Sequence, residues 1–217
     1  MISFLFLKRM IKRSYSTTIY FLIASIILLI IDIYEIVTIK IILPFILISL
    51  LASPSFFGIM FSSLTVSLFI DDRQNGLLEF LIAEGIKPRK IYYEYVLAFL
   101  LISIPITVIV SVILGLLVRN LYYMILILIN SIGISWMIIP PSLYLSYLQK
   151  TAGSSRSPLG TYIGFTILLS YVYSGTIIKS AIGIQNLMLY AGITILLIAI
   201  LLTIVIGYTI KSEKLIP

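Results

Sequence analysis

The sequence predicts an all-α, polytopic membrane protein with six transmembrane helices. Of its 217 residues, 61% are hydrophobic and 11% are charged, and the mean hydropathy is +1.19. Soluble domains average about 45–50% apolar and about 25% charged residues, so this composition excludes a water-soluble fold. Six apolar stretches also reach or approach the roughly 20 residues that a helix needs to cross a bilayer core.

The predicted elements follow one another with short connections. Residues 1–15 are predicted to form an amphipathic helix, and residues 71–90 form the longest loop, which contains a short cytoplasmic helix. No small-residue cleavage pattern follows the first span, so we expect it to be retained rather than removed as a signal peptide. Residues 1–217 then form one transmembrane domain. The predicted spans are residues 16–36, 41–69, 91–118, 121–148, 159–178 and 186–210.

Span two is too long for a perpendicular crossing. A straight helix over residues 41–69 would measure about 43 Å, whereas the hydrocarbon core is about 30 Å thick. We therefore expect this span to tilt, to break near the sequence ASPSFFG, or to project into the cytoplasm. Prolines inside spans remove helical hydrogen bonds and predict further bends. They are Pro44, Pro54, Pro105, Pro140 and Pro141.

The basic residues predict the orientation of the chain. If the N-terminus is cytoplasmic, 12 of the 15 Lys and Arg residues lie on the cytoplasmic side, and only Lys40, Arg119 and Lys179 lie outside. Short loops rich in Lys and Arg stay in the cytoplasm. We therefore expect a multi-pass protein of the cell membrane, with both termini and loop 71–90 in the cytoplasm.

The residue types that the chain lacks exclude several functions. It contains no cysteine and no histidine, so thiol catalysis and the usual zinc sites are excluded, and we expect no metal site and no catalytic residue. No Gly-rich phosphate loop followed by Lys-Ser/Thr occurs, so we do not expect this chain to bind ATP by that route. The basic residues cluster at span ends, which indicates topology rather than nucleic-acid binding.

Few strongly polar groups lie inside the predicted spans. Asp32 and Glu35 are three residues apart at the outer end of span one, where we expect wetted rim residues rather than an ion relay. Asn130 and Ser131 lie in mid-span within ILILINSIGISW. An interhelical hydrogen bond is the simpler explanation for this pair, and a place on a substrate pathway is the alternative.

The charged loop predicts a short helix between two turns. The segment DDRQN offers several N-cap residues, and GLLEFLIAE then makes about two helical turns. Gly85 is predicted as the left-handed residue after the helix, and Pro88 as the first residue of the next helix. An ordinary membrane-hugging helix explains the apolar residues, whereas the charged residues are expected to face water or a partner. These are Asp71, Asp72, Arg73, Glu79 and Glu84.

This loop resembles a loop of a known family. In DDRQNGLLEFLIAEGIKPRKIYYEY, a charged cluster is followed by Gly76, Leu78 and Glu79, then by a leucine-rich turn, Pro88 and Arg89. The order is similar to the first cytoplasmic loop in the membrane (permease) subunits of type-2 ABC exporters. The resemblance implies that the loop forms a coupling helix seated on a separate ATPase. The implied contact residues are Asp71, Asp72, Arg73, Gly76, Leu78, Glu79, Phe80, Glu84, Pro88 and Arg89.

The resemblance also implies partners and cofactors. Two permease copies, identical or homologous, would pair in the lipid membrane above two ATPase subunits, which hold the ATP and Mg²⁺. The N-terminal segment is similar to the interfacial connecting helix of that family. On a helical wheel, Lys8, Arg9, Lys12 and Arg13 share one side, and Phe4, Phe6, Leu7, Met10 and Ile11 share the other.

Besides a transporter of another class and an intramembrane enzyme, two alternatives to such an exporter remain. The chain is also similar to the haem-exporter-like membrane subunit of cytochrome c maturation, which has six spans and a comparable loop, although SWMIIPPSLYLSYLQ matches only part of its later Pro-rich signature. A membrane assembly scaffold without a transport function is the other alternative. The short segment IIKSAIGIQN between spans five and six argues against a large outer gate.

The predicted orientation can be tested because the chain contains no cysteine. Asn75→Cys is expected to stay unlabelled by a membrane-impermeant thiol reagent added outside intact cells, since loop 71–90 is predicted to be cytoplasmic. Lys179→Cys is expected to react. Strong labelling of position 75 from outside would overturn the topology.

Overall fold

The computed structural model describes residues 2–13, 15–38, 52–148, 162–164, 166–167, 169–170 and 184–211. Within these residues the chain is helical and contains no strand, which confirms the all-α prediction. The continuously described helices are α1 (Ile2–Arg13), α2 (Tyr15–Thr38), α3 (Ala52–Gln74), α4 (Leu77–Ala83), α5 (Pro88–Val118), α6 (Leu121–Leu148) and α7 (Ile184–Thr209).

Four helices in the described part of the chain are long and apolar enough to cross a membrane. They are Pro54–Gln74 of α3, Pro88–Val118, Leu121–Leu148 and Met188–Thr209 of α7. Large apolar side chains also stay exposed along α2, α5 and α7, as expected for helices that face lipid. These features suggest a membrane protein.

The predicted spans agree with the helices to different degrees. Spans three, four and six match α5, α6 and α7 within three residues, and span one coincides with α2. Span five, residues 159–178, lies mostly outside the described residues, as do residues 41–51 of span two with Pro44. The count of six spans therefore stays a prediction.

The prolines lie at different places in the helices. Pro54 is in the first described turn of α3, where its missing N–H is tolerated, and a break near ASPSFFG falls at the limit of the described residues. Pro105 lies inside α5, and Pro140 and Pro141 lie inside α6. Both helices continue through these positions.

Helix α3 extends past the predicted end of span two. It continues to Gln74, so Asp71 and Asp72 belong to the end of α3 and not to the start of α4. The prediction that DDRQN supplies the N-cap of the short helix is therefore wrong. A carboxylate near a helix C-terminus is ordinarily unfavourable, and it is tolerated here because Arg9 pairs with Asp72.

Asn75 and Gly76 form the turn between α3 and α4. Gly76 adopts a left-handed conformation, with φ 73° and ψ 6°, and no side chain caps the start of α4. Its N–H donates to the carbonyl of Arg73 at 3.2 Å, and its carbonyl accepts the N–H of Phe80 at 3.0 Å. Gly76 thus ends one helix and begins the next.

The far end of α4 follows the sequence prediction. Gly85 is left-handed with φ 81°. Its N–H donates to the carbonyl of Ile82 at 2.9 Å, and the N–H of Ile86 donates to that of Leu81 at 3.0 Å, which is the Schellman arrangement. Pro88 begins α5. The predicted short helix, its left-handed glycine and the proline start are all confirmed.

Helices α3, α6 and α7 run parallel to one another, whereas α5 runs the opposite way. Gly58 of α3 faces Ser135 of α6, and fifteen residues later Arg73 reaches the last turn of α6. The α6–α7 contacts also advance in step along both helices. We call the end of the bundle where α3, α6 and α7 finish and α5 begins the charged end.

A tight turn connects α5 and α6 at the opposite end. Arg119 is left-handed, with φ 56°. The side-chain oxygen of Asn120 accepts the backbone N–H of Tyr122 at 2.9 Å, so Asn120 caps the start of α6. The predicted short connection around Arg119 and Asn120 is therefore confirmed.

The Gly76 turn can be tested by substitution. Gly76→Ala is expected to lower the free energy of unfolding by about 1 kcal/mol, because a side chain is disfavoured in the left-handed region. This corresponds to a fall in Tm of about 2–4 °C in a chain of this size, measured by thermal unfolding in detergent. Gly76→Asn is the control and is expected to lose less, since Asn tolerates this conformation better. A greater loss for Asn than for Ala would contradict this explanation.

Candidate functional site

Asp72 is the buried centre of the charged end. Its side chain is fully buried, and its carboxylate accepts hydrogen bonds from both terminal nitrogens of Arg9, at 3.0 and 2.5 Å. The Tyr95 hydroxyl donates a third hydrogen bond, of 2.6 Å. A buried carboxylate is tolerated when it is paired and hydrogen-bonded in this way. The expectation that Asp72 faces water or a partner is therefore wrong.

Further contacts hold α1 against the bundle. The Phe6 ring stacks on the Tyr95 ring, with centroids 4.1 Å apart, and Met10 is buried one turn further along α1. At the start of the helix, the backbone N–H of Ser3 donates to Glu94 Oε2 at 2.7 Å. A carboxylate at this place is favoured by the helix dipole. Helix α1 is thus an integral part of the charged end.

The packing of α1 differs from the predicted helical wheel. Arg9 is half-buried against Asp72, whereas the wheel predicts it on the basic side with Lys8 and Lys12. Phe4 is 55% exposed, whereas the wheel predicts it on the apolar side. The wheel is wrong for Arg9 and Phe4. At Arg9 the reason is the buried carboxylate of Asp72 on α3, which a wheel of α1 alone cannot include.

Arg73 connects α3 to the end of α6. Its side chain is buried, and Nη1 donates to the backbone carbonyls of Ser146 and Tyr147 at 3.2 and 3.3 Å. These carbonyls belong to the last described turn of α6, and the carbonyls at a helix C-terminus need partners from outside the helix and carry the negative end of the helix dipole. Arg73 therefore caps α6 from inside the chain, and the expectation that it faces water or a partner is wrong.

Arg89 connects the start of α5 to the end of α7. Its guanidinium carbon lies 3.5 Å from the centre of the Tyr208 ring, and its Nε donates to the Tyr93 hydroxyl at 3.2 Å. A guanidinium stacks favourably on an aromatic face. Gly207 permits this arrangement, since a Cβ there would lie 2.5 Å from the Tyr93 hydroxyl. Arg89 thus also makes contacts within its own chain.

Helix α4 combines an anchored side, which also includes the partly buried Leu77, Leu81 and Ile82, with an exposed face. Leu78 is fully buried and attaches the helix to the core. Glu79, Phe80 and Glu84 are exposed, and we call these three residues the α4 outer face; the Phe80 ring is 58% exposed. Asp71 is half-buried. In the part of the chain that the structure describes, Glu79 has no ion-pair partner.

Asn130 forms the predicted interhelical hydrogen bond. Its Nδ2 donates to the carbonyl of Met188 in α7 at 3.2 Å and to that of Leu126 in its own helix at 2.8 Å. Gly192 makes room, since a Cβ there would lie 2.8 Å from Asn130 Oδ1. Ser131 is buried, but its hydroxyl has no hydrogen-bond partner among the described residues. The prediction is therefore confirmed for Asn130 alone.

Asp32, one of the two acidic residues of α2, is not a wetted rim residue. Asp32 is 4% exposed, so the expectation of a wetted residue is wrong at this position. Helix α2 packs against α3 and α5, and Asp32 lies on a buried side of it. The side chain of Glu35 lies outside the described residues.

The sequence prediction missed Tyr95 as a site residue and placed Arg9 only among the basic residues of the N-terminal flank. A signal for Tyr95 was present, because Tyr92 and Tyr95 are three residues apart and so share one face of α5. Both are buried. Buried tyrosines usually bond a partner through the hydroxyl, and for Tyr95 that partner is Asp72.

The charged end therefore has two layers. Asp72, Arg73 and Arg89 are engaged inside the chain and connect five helices, whereas the α4 outer face projects from it. Such an arrangement can hold a surface for another protein at a fixed position. Comparisons of the chain with family models, with curated proteins and with solved structures find no match.

The capping role of Arg73 can be tested. Arg73→Met is expected to lower the free energy of unfolding by about 1.5–3 kcal/mol, because hydrogen bonds from a charged group are lost and buried carbonyls remain unsatisfied. The measurement is thermal unfolding in detergent. Lys90→Met is the matched control, since Lys90 is exposed close by, and its expected change is within about 0.5 kcal/mol. Equal losses in both variants would contradict the capping role.

Proposed function

We propose that this chain is the transmembrane permease subunit of an ABC exporter, whose ATP hydrolysis takes place in a separate ATPase subunit. The observation that supports the proposal is the α4 outer face: Glu79, Phe80 and Glu84 are exposed on a short helix whose opposite side is anchored by Leu78. A partner can push or pull on the membrane helices only through a face that is exposed to the partner and anchored to those helices.

The chemistry of the α4 outer face favours a protein partner over the membrane surface. The cytoplasmic leaflet has a negative surface potential, which repels the carboxylates of Glu79 and Glu84. A membrane-hugging helix would carry basic residues in these places. A protein groove with an apolar pocket for Phe80 and basic side chains beside it would complement the face, since aromatic anchors and paired charges are typical of interface centres.

The arrangement of the helices supports the proposed topology of six spans with both termini in the cytoplasm. Since α6 and α7 run parallel, the end of α6 and the start of α7 lie at opposite ends of the bundle. A return crossing between them, as predicted for residues 159–178, fits this geometry. The proposed location is the cell membrane, with the charged end on the cytoplasmic side.

The proposed assembly contains two permease copies and two ATPase subunits. The chain carries no phosphate-binding loop of its own, so ATP and Mg²⁺ belong to the ATPase subunits. Movement of the ATPases on ATP binding displaces α4. Because only Asn75 and Gly76 lie between α3 and α4, and α3 is bonded to α6 through Arg73, this displacement is transmitted to membrane-spanning helices.

The proposal predicts a coupling defect from one exposed side chain. Glu79→Ala is expected to weaken ATPase binding about tenfold or more, because a charge-assisted hydrogen bond contributes about 1.5–3 kcal/mol and 1.4 kcal/mol is a factor of ten. Insertion and helix packing are expected to remain intact, since Glu79 makes no ion pair among the described residues. The measurement compares complex yield, ATP hydrolysis and transport after purification with the ATPase.

The control for this experiment is Lys179→Ala, a charge change in the predicted outer loop that is expected to leave coupling unchanged. The proposal is wrong if the parent chain associates with no ATPase that has a Walker A motif. It is also wrong if Glu79→Ala couples like the parent while Lys179→Ala does not.

A further inference from the structure

We infer that α1 fixes the position of α4, and that the cluster of Arg9, Asp72 and Tyr95 is the connection through which it does so. Helix α4 packs mainly on the end of α3. The cluster joins that end of α3 to α1 and α5 through one carboxylate. Arg9 is thus a positioning residue that acts on the α4 outer face through Asp72.

The turn before α4 does not hold the helix in place by itself. At this position the turn is held by local backbone hydrogen bonds, and a Cβ on Gly76 would meet no atom within 4 Å. Helix α4 has only 7 residues, and isolated helices below about 12–15 residues are marginal in water. Its direction therefore depends on the last turn of α3 and on the packing of its buried side, where Leu78 is fully buried and Leu77, Leu81 and Ile82 are partly buried against the core.

The last turn of α3 is held by the buried cluster. Asp72 lies four residues before Gly76, and the N–H groups of Asn75 and Gly76 bond to the carbonyls of Asp71 and Arg73. Any displacement of this turn therefore reorients Gly76. Without Arg9, the buried carboxylate of Asp72 loses its cation and is driven towards water. The segment that moves is the one that carries α4.

The cluster also joins α4 to α2, although the two helices are far apart in the sequence. Helix α1 ends at Arg13 and α2 begins at Tyr15, so a pull on Asp72 acts on Arg9 and then on the start of α2. A displacement of α4 thus reaches two separate helices, α3 directly and α2 through an ion pair. This last step rests on the proposed function, which supplies the displacement.

The position of α4 can be measured without any partner, because the chain has no cysteine. A nitroxide on Ala83→Cys, an exposed position at the end of α4, reports the mobility of the helix in proteoliposomes. Arg9→Met is expected to raise the ratio of mobile to immobile label about tenfold, since the loss of a buried charge partner exceeds the 1.4 kcal/mol that a factor of ten represents. Arg9→Lys keeps the charge without the two-pronged contact, and a smaller rise is expected.

Two further variants distinguish the loss of this connection from a general destabilisation of the protein. The double variant Arg9→Met/Asp72→Asn removes the unpaired charge and is expected to recover much of the immobile label. Lys12→Met, on the exposed side of α1, is expected to leave the spectrum unchanged. The inference is wrong if Arg9→Met gives the parent spectrum, or if Lys12→Met changes it equally. Should Arg9→Met fail to insert, Tyr95→Phe removes one hydrogen bond and keeps the ring, and an unchanged spectrum then overturns the inference.

A second measurement distinguishes this inference from the proposed function. Binding of the ATPase is measured for the unlabelled parent and for Arg9→Met, and binding is expected to fall as α4 mobility rises. If Arg9→Met mobilises α4 while the parent binds no ATPase, the proposed function is wrong and the role of α1 stands. If the parent binds the ATPase while Arg9→Met leaves α4 immobile, the function stands and the inference is wrong.

Discussion

A carboxylate that is excluded from water must be paired, and the charged end is organised around this requirement at Asp72. Desolvation of an ion in a protein costs several kcal/mol, so the side chain needs both the guanidinium of Arg9 and the hydroxyl of Tyr95. These groups come from α1 and α5, and Asp72 comes from α3. The burial of one side chain thus requires three helices to meet. The place where they meet determines the position at which α4 begins.

Local chemistry explains which parts of the fold are predictable from the sequence. Gly85 marks the end of α4 because glycine is the residue that most readily adopts the left-handed backbone found after a helix. Pro88 marks the start of α5 because the first turn of a helix tolerates a residue without an N–H. The turn at Arg119 and Asn120 is predictable because polar residues interrupt two long apolar runs. In each case the determining residues are neighbours in the chain, and no distant partner is needed.

Contacts between distant residues explain the errors. Arg9 and Asp72 are 63 positions apart, and no local sequence feature of either residue identifies the other as its partner. The segment DDRQN contains good N-cap residues, but the tertiary ion pair stabilises Asp72 inside α3. Asn130 is intermediate: a buried amide in mid-span must find a partner, yet nothing in the sequence identifies the carbonyl of Met188 as that partner.

The separation between the α4 outer face and the buried residues beneath it has an evolutionary consequence. Glu79, Phe80 and Glu84 are exposed, so substitutions there carry little cost for stability, whereas Gly76 and Leu78 are constrained by backbone conformation and by packing. Under the proposed function, duplicated copies of such a gene would acquire different partners through changes at three codons, without first passing through unstable intermediates. Under the same proposal, substitutions at these three positions would also suppress cross-reaction between paralogous assemblies in one cell.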